Sequence, residues 1–275
     1  MDRGVSFGQK IKPVLKYPGA KWGIAEWVIA HFPRHHSYLE PFFGSGGVFF
    51  RKPRSNIETI NDIDDEVINL FECVREDPER LAHEVYYTPY SRRIFDAAFS
   101  HEVPEDRYQR AMRLLVRCNM GHGFRTTGER VGWKNDVVGR ERAYAARGWA
   151  ELPEIIKKAA ERLRGVQIEC SPATELIARY NSPDVLIYCD PPYVLSTRRG
   201  KQYRCEMTDR DHLELLDALK RHTGPAIISG YDSELYRTEL REWHRETINT
   251  TDQLSKIKTE SLWMNYLPSV QLTIF

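Results

Sequence analysis

Apolar positions along this chain recur in two styles. Short continuous runs bounded by turn residues read as strands buried on both faces, and they fall at 37–41, 56–61, 166–170, Val185–Cys189 and 226–229. Between them lie stretches with helical spacing. Residues 66–75 place Val67, Leu70, Phe71 and Val74 on one face, and 152–163 and 209–221 continue the theme. Thr208 is the expected N-cap of the last of these. Residues 76–150 break the alternation with a helical stretch at 107–118 and a long polar loop. The final "SVQLTIF" (269–275) alternates like an edge or antiparallel strand. Strands alternating with helices predict an α/β fold on a mostly parallel sheet, with ligands at the carboxyl ends of the strands.

Composition leaves that picture standing. With 275 residues, one large or two modest domains are expected, and 41% hydrophobic content is ordinary for a globular chain. No apolar run approaches the roughly 20 residues that span a bilayer, and "MDRGVSFGQK" has no signal-peptide core, so a cytoplasmic protein is expected. The five cysteines form no C-x-x-C pair, and the nine histidines show no metal-ligand spacing. No metal is expected. Cys170 and Cys189 sit in predicted core strands, which points to buried free thiols.

Charge distribution says more than net charge. Residues 107–147 hold nine Arg and one Lys against three acids, a local net of +7 in a chain whose total is +1. The same segment contains "CNMGHGFRTTGERVGWKND", where Gly, Asn, Thr and aromatics interleave with cations. Such chemistry suits contacts to phosphates and bases. Arg125, Arg130, Lys134 and Arg140 lie in the loop-like part and are the candidate nucleic-acid contacts. Arg110, Arg113 and Arg117 recur at helical spacing and fit a solvated face or backbone contacts. A second basic stretch, "STRRGKQYR" (196–204), is the alternative location.

The predicted strand ends carry the remaining chemistry. "EPFFGSGGVFF" (40–50) follows the first, and its glycines let a ligand approach the backbone, although the pattern is not G-x-G-x-x-G. "NDIDD" (61–65) follows the second. Asp62 stands where an acid accepts ribose hydroxyls, while an Asp here can equally cap the next helix, a reading that suits Asp64 and Asp65 better. Asp190-Pro191-Pro192-Tyr193 follows Val185–Cys189. The prolines stop the strand, and the same letters can do no more than end it.

Taken together, "KYPGAKWG" (16–23), "LEPFFGSGGVFF" (39–50), "NDIDDEVINLF" (61–71) and "DPPY" (190–193) resemble, in order and spacing, the Dam-like adenine-N6 DNA methyltransferases of group alpha. "SGYDSELY" (229–236) and "KTESLWMNY" (258–266) are similar to the end of that family. The resemblance implies a Rossmann-like S-adenosylmethionine-dependent methyltransferase fold. It implies a catalytic part at 1–75 and 151–275 and a mainly helical target-recognition insertion at 76–150. It implies that Tyr17, Lys21, Phe43, Gly44, Gly46, Asp62 and Ser171 bind S-adenosylmethionine, with Asp190 at the methyl end. Tyr17 replaces a Trp found in some members. The "CSPA" stretch (170–173) lacks the acid-aromatic pair many members carry. Lys21 would sit near the cofactor carboxylate or hold the motif. The implied partners are double-stranded DNA and a cognate restriction endonuclease.

The opening chemistry of DPPY then has a physical reading. The adenine amino lone pair is delocalised into the ring and attacks poorly. A carboxylate at Asp190 and the Pro191 carbonyl can each accept one of its N–H bonds, and both bonds strengthen as charge develops on nitrogen. Pro192 fixes the carbonyl's direction, and Tyr193 can stack on a base flipped from the duplex. Transfer to cytosine N4, RNA or a protein glutamine, and non-catalytic nucleic-acid binding, are the competing readings.

Overall fold

A computed structural model describes residues 11–123, 126–135, 145–198, 200–251 and 257–268. In chain order its elements are α1 (Ala25–Ala30), β1 (Ser37–Glu40), β2 (Ile57–Asn61), α2 (Asp65–Glu76), α3 (Pro78–Tyr87), α4 (Arg92–Ala97), α5 (Arg107–Met120), α6 (Ala145–Arg162), β3 (Gln167–Glu169), α7 (Ala173–Arg179), β4 (Val185–Cys189), α8 (Asp209–Arg221), β5 (Ala226–Tyr231), α9 (Glu234–Glu239), β6 (His244–Thr251) and β7 (Ile257–Met264). The strands form one sheet in the order β3-β2-β1-β4-β5-β7-β6. The first four pairings are parallel, and β7 lies antiparallel between β5 and β6. This is the mostly parallel α/β sheet expected.

The sheet is covered on both faces. Tyr38, Ile60, Leu186, Tyr188, Ile227 and Leu262 pack on one side with α1, α2, α3, α5 and α6. Leu39, Ile187, Cys189, Ile228 and Trp263 alternate to the other side, against α7, α8 and α9. That two-sided burial is why β4 reads as an unbroken apolar run.

The predicted strands and helices are found with small shifts at their ends. Asp64 caps α2 by accepting the Glu66 N–H at 3.1 Å, and Thr208 with Asp211 forms a capping box at α8. Helix α6 begins at Ala145, seven residues before the expected start, so the line drawn at 150/151 falls inside it. The helix continues upstream because Ala145, Trp149 and Leu152 are buried, with Trp149 donating Nε1–H to the Thr88 carbonyl at 2.8 Å. Strands β6 and β7 were not expected. "HRETINTT" carries one aliphatic residue and no apolar alternation, and its pairing with β7 supplies what the pattern lacks. Cys170 is exposed, contrary to expectation, because β3 ends at Glu169, whereas Cys189 is buried. The "SVQLTIF" stretch lies outside the described residues. No described helix is long and apolar enough to cross a membrane.

Candidate active site

The carboxyl ends of β1, β2 and β4 converge on a cavity of about 350 Å³. After β1 the chain turns tightly. Gly44 and Gly46 have φ of +50° and +66°, a region that side chains rarely adopt, and a Cβ on Gly44 would lie 2.9 Å from the Tyr17 ring. The Gly44 N–H donates to Asp62 Oδ2 at 2.8 Å, and the Asp64 N–H donates to Asp62 Oδ1 at 2.9 Å. Asp62 is therefore fixed from both sides beside the turn. Burial pushes its carboxyl up to about 7 despite these donors. Asp64 instead serves as the cap of α2, which leaves Asp62 free of that role.

Asp190 emerges from β4 with its side chain 17% exposed. Lys21 Nζ lies 2.7 Å from Oδ1 and 2.9 Å from Oδ2, and also donates to the Gly19 carbonyl at 2.8 Å. Ser229 Oγ donates to Asp190 Oδ1 at 2.8 Å, with the Tyr188 hydroxyl 3.1 Å behind it. Burial opposes the Lys21 charge, but Asp190, then Glu260, outweigh it and raise its pKa. Lys21 thus holds the motif. Pro191 is buried and Pro192 reaches the cavity. Tyr193 is buried, donating its hydroxyl to Glu260 Oε2 at 2.7 Å. Its ring meets Tyr231 edge-on at 4.4 Å and carries the Lys21 ammonium 4.6 Å from its centroid.

Of the expected cofactor residues, Tyr17, Lys21, Phe43, Gly44, Asp62 and Asp190 line the cavity, whereas Gly46 and Ser171 do not. The Ser171 backbone is held by Asn61, whose side chain accepts from its N–H at 2.8 Å and donates to its carbonyl at 3.0 Å. The neighbouring Pro172, Ala173 and Thr174 form that wall. Sequence reasoning missed Glu40, whose buried carboxyl is pushed up to about 8. It also missed Tyr203, which lies in the stretch read only as basic (196–204), and Cys205 and Met207, which follow it. Ser229 and Glu260 sit in the two segments noted for resemblance, but nothing local marked them as neighbours of Asp190.

The basic segment divides. Arg110 and Arg113 donate to carbonyls at 104–105 and at 98–102, and Arg117 pairs with Glu66. They brace the helices rather than presenting a free face. Past α5 the loop doubles back: the His122 N–H donates to the Gly132 carbonyl at 2.8 Å, and the Lys134 N–H to Met120 at 2.7 Å. Arg130 is exposed and pairs with Asp96 at 2.5 Å. Lys134 follows Trp133, whose ring stacks near Tyr90 at 5.6 Å and under Arg92 at 4.7 Å. Arg125 and Arg140 lie outside the described residues.

Comparison with known proteins agrees with this geometry. The sequence profile of the D12 class N6 adenine-specific DNA methyltransferase matches residues 17–257. The DNA adenine methylase of Salmonella typhi is 28% identical over 257 residues, covering 86% of this chain and 85% of its own. That of Escherichia coli K12 is 27% identical over the same coverage. The DNA N-6-adenine-methyltransferase of Escherichia phage P1 is 24% identical over 202 residues, 67% of this chain and 25% of its own.

Proposed function

This chain belongs to the D12 class of N6 adenine-specific DNA methyltransferases, and from that premise we propose a role for each residue on the rim. The chain methylates the N6 amino group of adenine in DNA. The family implies S-adenosylmethionine as donor, which supplies a methyl group activated by the adjacent sulfonium. The cavity suits it. Its volume of about 350 Å³ lies within the ordinary range for such ligands. Two buried carboxyls, Glu40 and Asp62, border the cavity, and a cation or hydroxyl donors beside them would offset their desolvation.

Asp62 accepts the ribose hydroxyls with the lone pairs that Gly44 and Asp64 leave open. Phe43 and Gly44 would border the methionine portion with Glu40 beside them, while Gly46 shapes the turn that presents them. Pro172 to Thr174 and the Ser171 backbone flank the adenine ring, and Tyr17 closes the side. Asp190 accepts one N–H of the target amino group and the Pro191 carbonyl accepts the other. Lys21 and Ser229 aim the Asp190 carboxylate. Because that carboxylate is already paired, it serves as a directed acceptor rather than a strong base. Tyr193 presents its ring to the flipped base. Residues 76–150 form the recognition part, in which Arg125, Arg130, Lys134 and Arg140 meet double-stranded DNA. The chain works in the cytoplasm. Its other partner is a restriction endonuclease of the same specificity, and digestion of DNA from expressing cells tests that pairing.

The observation that carries this reading is Asp190, held by Lys21 and Ser229 on the rim of the cavity that Asp62 also lines. The test is mass spectrometry of nucleosides after incubating duplex DNA with methyl-labelled donor. Label is expected in N6-methyldeoxyadenosine for the wild type and is expected to vanish for Asp190→Ala. Label retained by the variant would remove Asp190 from the chemistry.

A further inference from the structure

Thr126 lies in the loop assigned above to DNA, yet it is only 5% exposed. Its N–H donates to the Gln202 carbonyl at 2.9 Å, and its Oγ1 accepts the Arg204 N–H at 3.0 Å. One residue thus joins two stretches, the recognition loop and the segment after the catalytic motif, and the latter packs in turn on Tyr17 through Tyr203.

The segment it holds forms part of the cavity wall. Tyr203, Cys205 and Met207 line the cavity, and the Tyr203 ring lies 5.8 Å from Tyr17. A Cβ on Gly19 would come within 2.4 Å of the Tyr203 hydroxyl, so the two strands of chain are closely apposed. Arg204 reaches across to the N-terminus of α2, 2.8 Å from Asp64 and 2.6 Å from Asp65. Asp64 is the residue whose N–H steadies Asp62. Glu206 accepts the N–H groups of Gln202 and Tyr203 at 2.6 and 3.0 Å, and pairs with Arg198, so the segment is also braced internally.

We infer that Thr126 is a positioning residue for the cofactor, tying the DNA-reading loop to the 202–207 wall so that DNA engagement and cofactor retention are coupled. This rests on the proposed assignment of the loop to DNA and of the cavity to the cofactor. The physical content is a shared restraint. Opening the cavity between 202–207 and Tyr17 breaks the bonds to Thr126, and a loop held by DNA makes that opening rarer. By linkage, the cofactor must tighten DNA binding by the factor by which DNA tightens cofactor binding.

Release of tritiated S-adenosylhomocysteine into an unlabelled chase tests this, with and without saturating duplex. Thr126→Val keeps the shape and removes the hydroxyl, and Thr126→Ser restores it. Without DNA, Thr126→Val is expected to release the ligand about tenfold faster, and Thr126→Ser at close to the wild-type rate. DNA is expected to slow release from the wild type and Thr126→Ser, and to do so much less for Thr126→Val. Equal DNA-free rates for wild type and Thr126→Val would overturn the positioning role. Equal slowing by DNA in both would overturn the coupling. Duplex affinity unmoved by alanine at Arg130 and Lys134 would overturn the loop's assignment to DNA, and the DNA-free rates would then still decide the positioning role.

Discussion

Replacing Asp62 with Asn separates its charge from its hydrogen bonds. The carboxyl is buried and titrates near 7 in the fold against an ordinary 3.8. A raised acid is favoured in its neutral form, so its stabilisation is full below 3.8 and lost as pH rises through about 7. At about 1.4 kcal/mol per pH unit, that gap is worth about 4 kcal/mol, of which about 3 kcal/mol falls between pH 5 and pH 8. Asn cannot ionise, so it escapes this loss. It loses something else. Both carboxylate oxygens face N–H donors, from Gly44 and Asp64, and an amide must turn its own NH₂ toward one of them. That mismatch costs about 1–3 kcal/mol at any pH. Urea unfolding of both proteins from pH 5 to pH 8 measures the difference, and Glu40, which titrates near 8 in each, cancels from it. The wild type is expected to be the more stable at pH 5, with its advantage shrinking by about 3 kcal/mol, on the arithmetic above, by pH 8. A difference that stays flat across the range would refute the buried, late-titrating Asp62.

Lys21→Met removes one member of a buried pair and is expected to destabilise the fold by about 3–5 kcal/mol, with part of the loss recovered when Asp190→Asn is added; chemical denaturation of the single and double variants measures both. Lys134→Ala should weaken binding to all DNA and flatten the salt dependence by about one unit of slope, whereas Arg130→Ala should relax discrimination at one base pair by about 1–3 kcal/mol. Binding across single-base-altered sites at two salt concentrations separates the two behaviours. Thr208→Ala breaks the capping box of α8 and should cost about 1 kcal/mol of stability, with methylation of saturating DNA unchanged.

What the sequence determined by itself was local. A two-sided strand announces itself as an apolar run, a cap as a Thr or Asp before a periodic stretch, and a strand end as Gly, Asp or Pro. Those signals located β1, β2, β4, β5 and α8, and with them Gly44, Asp62 and Asp190 at the ends where a parallel sheet collects its ligands. The tertiary structure decided which distant residues stand beside them. Register places Cys189 opposite Ile228, so Asp190 meets Ser229 on the next strand. Register also places Tyr231 opposite Glu260, which brings that acid to Tyr193 and Lys21. No periodicity encodes such pairings, because a polar residue inside a strand looks the same whether it meets solvent or a buried partner from another element. Thr126 and Tyr203 are the extreme case: both lie in loops, where composition alone suggested nucleic acid, yet packing carries Tyr203 to the cavity wall and long-range hydrogen bonds tie Thr126 to the segment on either side of it.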